Sequence, residues 1–233
     1  MIIRTRLILL AIVVLLSGGS AAQAQVETVV VTGSTRDASE AGGIFIVKRA
    51  DHIITSVVVT CDTRDDKQRH DELKATLRDM IHAAAATATI SLGVGDKTVE
   101  KLSEADFDDI IGSDTRPDTS RATIIIKTTV SPTDTIRAAV ARLNDFIKKT
   151  SKVGRTEIIR QGDWDLTIIA PEQYRDAILG KVVDDAKHAA ALFGPGYGIT
   201  MEGLEHAVSY FQKGPLDLAL YIPYSMKITP LEH

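Results

Sequence analysis

Several side chains able to do chemistry stand close together in this sequence, but few stand at the spacings a reaction needs. Asp184 and His188 lie four residues apart, an interval that brings two metal ligands or a charged pair onto one helix face. Asp106, Asp108 and Asp109 form an acidic cluster of the kind that can hold a divalent cation weakly. Neither belongs to a complete cage: the chain has no His-Glu-x-x-His and no calcium loop with its glycine and closing glutamate. His188 therefore reads as a helix-surface residue paired with Asp184, the acids read as a solvated face, and no metal is expected. Gly93-Val94-Gly95-Asp96-Lys97-Thr98 approaches a phosphate loop, yet Asp96 stands where glycine must precede lysine and would repel phosphate. Gly194, Gly196 and Gly198 follow a predicted helix and open none, so they read as a turn and not a dinucleotide site. No cofactor is expected.

Nucleophilic chemistry finds little support. Cys61 is the only cysteine and sits in an apolar strand, which marks it as a small buried hydrophobe. No Gly-x-Ser-x-Gly elbow occurs, and a Ser-His-Asp set would have to assemble in space from the six histidines. No catalytic residue is assigned, and a hydrolase is the third of three readings. Trp164, between Asp163 and Asp165, is read first as an anchor of the core. In the alternative it lines a pocket with Tyr197 and His206, and these three are the ligand-binding candidates of a small-ligand or peptide module.

These residues are positioned by readable elements. Apolar side chains at three- and four-residue intervals predict helices over 65–85, 131–149 and 171–193, with a short fourth at 104–111. Ser131, Pro132 and Asp134 read as the start of the second, and Gly194-Pro195-Gly196 as the stop of the third. Strands are predicted at 28–33, 43–49, 52–61, 87–94, 121–130, 155–169 (broken at Gly162), 203–211 and 216–228. The last alternates over thirteen residues; Pro223 cannot donate to a ladder, so an edge position or a bulge is expected there. Residues 95–119 read as a polar surface excursion. The expectation is an α+β fold: a mainly antiparallel sheet with about three amphipathic helices on one face. A single domain over 25–233 is expected, with sub-lobes at 25–119 and 120–233.

Residues 1–24 have the parts of a secretory signal peptide. Arg4 and Arg6 precede ten apolar residues from Leu7 to Leu16, a Ser-Gly break, and Ala22-Gln23-Ala24. Ten residues reach only about half of a ~30 Å bilayer core, so cleavage after Ala24 and a periplasmic destination are expected. Cleavage removes two arginines and no acid, taking the formal charge from −4 to −6. An acidic chain of 44% hydrophobic and 25% charged residues is neither disordered nor a dedicated nucleic-acid binder.

Two resemblances follow from particular residues. Val26-Glu27-Thr28-Val29-Val30-Val31-Thr32-Gly33-Ser34 resembles the energy-coupling box of TonB-dependent receptors. The chain is too short for their 22-stranded barrel, so an ordinary first strand is the favoured reading over a coupling segment on a soluble protein. The strand ending in Val31-Thr32-Gly33, the Asp51–Val59 strand and the following long helix resemble the SIMPL-domain family of bacterial envelope proteins. So do Pro171-Glu172-Gln173-Tyr174-Arg175-Asp176-Ala177, Asp184-Asp185-Ala186-Lys187 and the alternating strand at 216–228. The resemblance implies a non-enzymatic, envelope-associated protein of a family tied to stress tolerance. Together with the leader and the absence of catalytic motifs, it leads to the expectation of a self-assembling protein that supports envelope integrity or stress tolerance. A possible pairing surface for that assembly is the edge expected at 216–228.

Overall fold

The computed structural model describes residues 29–30, 43–95 and 98–231. The leader and most of the Val26–Ser34 string lie outside the described residues; of that string, Val29–Val30 (β1) pair antiparallel with Thr98–Lys101 (β5). The fold is α+β, as expected, with mostly antiparallel sheets. Among the described residues the largest sheet joins β1, β5, Ile90–Val94 (β4), Ser120–Thr129 (β7), His52–Cys61 (β3) and Thr156–Thr167 (β8), in that order. Ile111–Ser113 (β6), which follows the short helix Phe107–Ile110 (α2), also pairs with β7.

Two helices make the crossovers of this sheet. Asp66–Ala85 (α1) carries the chain from β3 to β4, and Ile136–Lys149 (α3) carries it from β7 to β8. Each pair of strands joined by a helix is separated by one strand of the other pair. These interleaved units have the strand order of the ferredoxin-like, split β-α-β architecture. The order interleaves residues from either side of 119/120, because β3 lies between β7 and β8.

Alternation along the strands decides what each face meets. Ile53, Val57, Val59 and Cys61 of β3 pack with Leu73, Leu77 and Met80 of α1 and with Ala139, Leu143 and Phe146 of α3. Ile54 and Ile125 point to the other face and cluster with Val99. Cys61 is buried, as its sequence context implies. A third long helix, Arg175–Phe193 (α4), follows a 3₁₀ turn at Pro171–Tyr174 and ends at Gly194, whose φ of 93° suits glycine. Ala170, just before that turn, has φ 42°. Ala170→Gly should therefore raise stability by about 0.5–1 kcal/mol, read as a shift of the urea midpoint at constant slope.

Three expectations need correction. The helix expected from 131 begins at Ile136, because Asp134 turns back to accept from the Ser131 amide (2.8 Å) and Thr135 caps the helix by accepting from Ala138. Residues 95–119 are more than a surface excursion: β5 and β6 join the sheet, and Val99, Leu102 and Phe107 are buried. The thirteen-residue strand is two strands. Asp217–Tyr221 (β11) lies between Ser209–Gln212 (β10) and Ile46–Arg49 (β2), while Ser225–Pro230 (β12) pairs with Tyr197–Glu202 (β9). Pro223 falls in the break. Both edges of β11 are covered by the protein's own chain, whereas β12 pairs with a described strand on one side only. No helix among the described residues is long and apolar enough to cross a membrane.

Candidate functional site

The C-terminal end of β3 and the N-terminal end of β8 lie side by side, since Cys61 pairs with Thr156 and Thr60 with Glu157. A cleft of about 360 Å³ opens there, lined by Thr60, Asp62, Arg116, Gly154, Arg155, Thr156 and Glu157. Its loop, residues 150–155, connects α3 to β8 and is pinned to α1. The Val153 amide donates to Thr76 Oγ1 (3.0 Å), and the Arg155 amide donates to Glu72 Oε2 (3.1 Å). Thr63 Oγ1 (2.6 Å) and Cys61 Sγ (3.2 Å) donate to the same oxygen, while Gln68 Nε2 donates to Glu72 Oε1 (2.9 Å).

This many donors stabilise the carboxylate form. The Thr63 hydroxyl acts most strongly, then the Arg155 amide, and together with the weaker donors they hold the Glu72 pKa down at about 2 against the opposing effect of burial. The loop can lie this close only because residue 154 is glycine. Its φ is +60°, and a Cβ there would sit 2.0 Å from the Glu72 carboxyl carbon.

The cleft carries two guanidinium groups, both over half exposed. Arg155 forks onto Asp62 (2.6 and 2.9 Å), and Arg116 donates to Asp114 (3.1 Å). The Arg155 hydrogen bonds hold the Asp62 carboxyl below the usual carboxylate range. An exposed ion pair of this kind is worth little and exchanges partners readily. In the wall beside them, Thr156 is buried, and its hydroxyl has no hydrogen-bond partner among the described residues.

A second cleft, of about 290 Å³, lies between α1 and α3 and includes Ala83, Ile90, Arg142 and Phe146. Its guanidinium is committed to Asp134 and to the Thr129 carbonyl, which leaves less to offer a ligand.

The residues singled out from the sequence lie elsewhere. Trp164 is on β8 opposite Thr55, packed against the core. Tyr197 begins β9 with its ring 5.6 Å from that of Phe193, and His206 sits in the following loop with Nδ1 3.0 Å from the Pro223 carbonyl. None of the three lines either cleft. Asp184 and His188 are exposed on α4. Asp106 accepts from the Ser103 amide and hydroxyl, and Asp108 pairs with Lys74. Among the described residues no three His, Cys, Asp or Glu side chains converge to hold a metal ion.

Sequence reasoning missed the Glu72 hub and the cleft it supports. Gly154, between Val153 and Arg155, was the available signal, but the partners come from three separate segments. Comparison of the chain with protein-family models, with curated proteins and with solved structures gives no match.

Proposed function

We propose that this is an exported, periplasmic protein that acts by binding, and that the β3–β8 cleft takes a carboxylate-bearing ligand. The observation that carries this reading is the pair of exposed guanidinium groups, Arg116 and Arg155, that line the cleft. A carboxylate accepts from both, and guanidinium forks match its two oxygens. The signal-peptide pattern and the SIMPL-like resemblance support an envelope location and a role in envelope integrity or stress tolerance. Of the two roles expected from the sequence, binding is favoured because the cleft presents two exposed guanidinium groups.

The test is thermal melting of the exported protein with acetate, succinate and inorganic phosphate over a concentration series. A carboxylate at about 100 times its Kd adds about 2.7 kcal/mol, or roughly 5–10 °C in Tm for a chain of this size. The shift should saturate, and it should disappear in the Arg116→Gln, Arg155→Gln double variant. Flat melts with all three probes overturn the reading. Mass spectrometry of the same preparation should give a chain beginning at Gln25, and a retained leader overturns the exported form.

A further inference from the structure

The strand whose first residues line the cleft lies at an open sheet edge. β8 ends the strand order of the largest sheet, so one side of its backbone faces no strand among the described residues. Residues 159–163 are all exposed, and Ile159 is 48% exposed in the middle of the straight stretch. At Gly162 the strand bulges, with φ +66° and a register shift opposite Thr55/Ser56. Bulges and charges blunt a sheet edge against pairing. Here the bulge and Asp163 blunt the far half, while the near half, residues 156–161, runs straight into the cleft.

Resting on the cleft reading, we infer that this edge takes an extended peptide as an added antiparallel strand, with the peptide's C-terminal carboxylate in the cleft. Direction carries the argument. The described strand pairs of this sheet are all antiparallel, and a strand added antiparallel to β8 ends beside Thr156. Its terminal carboxylate then arrives beside Arg155 and Thr156, the residues through which β8 enters the cleft lining. Main-chain hydrogen bonds along the edge supply affinity, and alternate side chains supply selectivity. A terminal residue opposite Glu157 places the residue two before it opposite Ile159, on the same face, so that position is apolar.

A second copy of the chain fits the edge less well. Two-fold antiparallel pairing sets residues of one face against each other, and Glu157 and Arg160 project to opposite faces. The charges on the strand therefore cannot meet their opposites in such a dimer, and a mid-chain strand brings no carboxylate to the cleft.

The experiment titrates the mature protein with fluorescein-labelled hexapeptide pools, randomised except for Val, Ile or Leu two residues before a free C-terminus. An identical pool with amidated C-termini is the comparison, and amide hydrogen exchange is followed over 156–161. Saturable binding, at least a tenfold loss on amidation, slowed exchange in β8 and a tenfold loss in Ile159→Arg with an unchanged melt are the expected results. Succinate binding with no tighter peptide binding and no change in β8 exchange overturns this inference and leaves the cleft reading standing. Equal binding of the amidated pool also overturns it. Concentration-dependent protection of β8 without peptide, with a dimer in native mass spectrometry, gives the edge to a second copy and overturns it as well. If neither succinate nor peptide binds, both readings fall.

Discussion

Gly154→Ala should lower the stability of the fold by about 3 kcal/mol, a drop of roughly 6–12 °C in Tm for a chain of this size. Two causes add. A residue with a Cβ held at φ +60° costs about 1–2 kcal/mol in the left-handed region. The new methyl would also meet the Glu72 carboxylate at 2.0–2.4 Å, far inside contact distance. Glu72 has a flexible stem, but moving it breaks the bonds from Thr63, Cys61, Gln68 and the Arg155 amide. The two causes separate in a double-mutant cycle. In a Glu72→Ala background the clash is gone, so Gly154→Ala should cost only the backbone strain. Equal costs in both backgrounds, measured by urea unfolding, would show that the loop is not pinned as described. Carboxylate binding should weaken in step with the first cost, because the same pin positions Arg155 and Thr156.

Acid should weaken the same pin. Glu72 has its pKa lowered from about 4.5 to about 2, so its contribution is full above pH 4.5 and is lost as pH falls toward 2. Glu72→Gln should be less stable than the parent at neutral pH and should lose less between pH 5 and 2.

Periodicity carried the sequence reading where one local pattern decides the outcome. Residues 52–61 form a strand with the predicted ends because their neighbours on both sides are strands and both faces are covered. Helix α1 differs from its expectation by one residue, since Asp65 caps it instead of joining it. The reading fails where partners distant in sequence decide. Residues 217–221 and 225–230 share one alternating pattern, but Pro223 lets the chain leave one sheet and enter another. An alternation count cannot detect a change of partner. Similarly, residues 95–119 read as a polar excursion, yet β5 pairs with β4 and Val99 and Phe107 are buried.

The site was less legible than the fold for the same reason. Trp164, Tyr197 and His206 attract notice by residue type, whereas the cleft draws on residues 60–62, 116 and 154–157, joined through Glu72. Nothing in a linear reading distinguishes Glu72 from the other acids of α1. What distinguishes it is the number of donors that converge on it, and those come from β3, from the turn after it, from α1 and from the loop before β8.

Asp134→Asn should be the second most damaging change, at about 2 kcal/mol, even though it removes one oxygen's charge and keeps the side chain's shape. Asp134 accepts both terminal nitrogens of Arg142 (2.8 and 2.7 Å) and the Ser131 amide, and only 12% of its side chain is exposed. Arg142 also donates to Thr128 Oγ1 and to the Thr129 carbonyl, tying α3 to the end of β7. Asparagine can accept one of those guanidinium bonds but must turn its amide toward the other, leaving a half-buried charge poorly matched. The exposed pair of Arg155 with Asp62 has the same chemistry without the burial, so Asp62→Asn should leave the melt almost unchanged. The Arg142 bonds hold the Asp134 carboxyl well below the usual range, so its contribution is present above pH 4 and fades only in strong acid. The expected signature is thus a stability loss in Asp134→Asn that is constant from pH 5 to 8 and shrinks below pH 4. A loss that grows in acid, or an Asp62→Asn variant equally damaged, would mean that charge pairing at the α3 entrance does not set the stability of this fold.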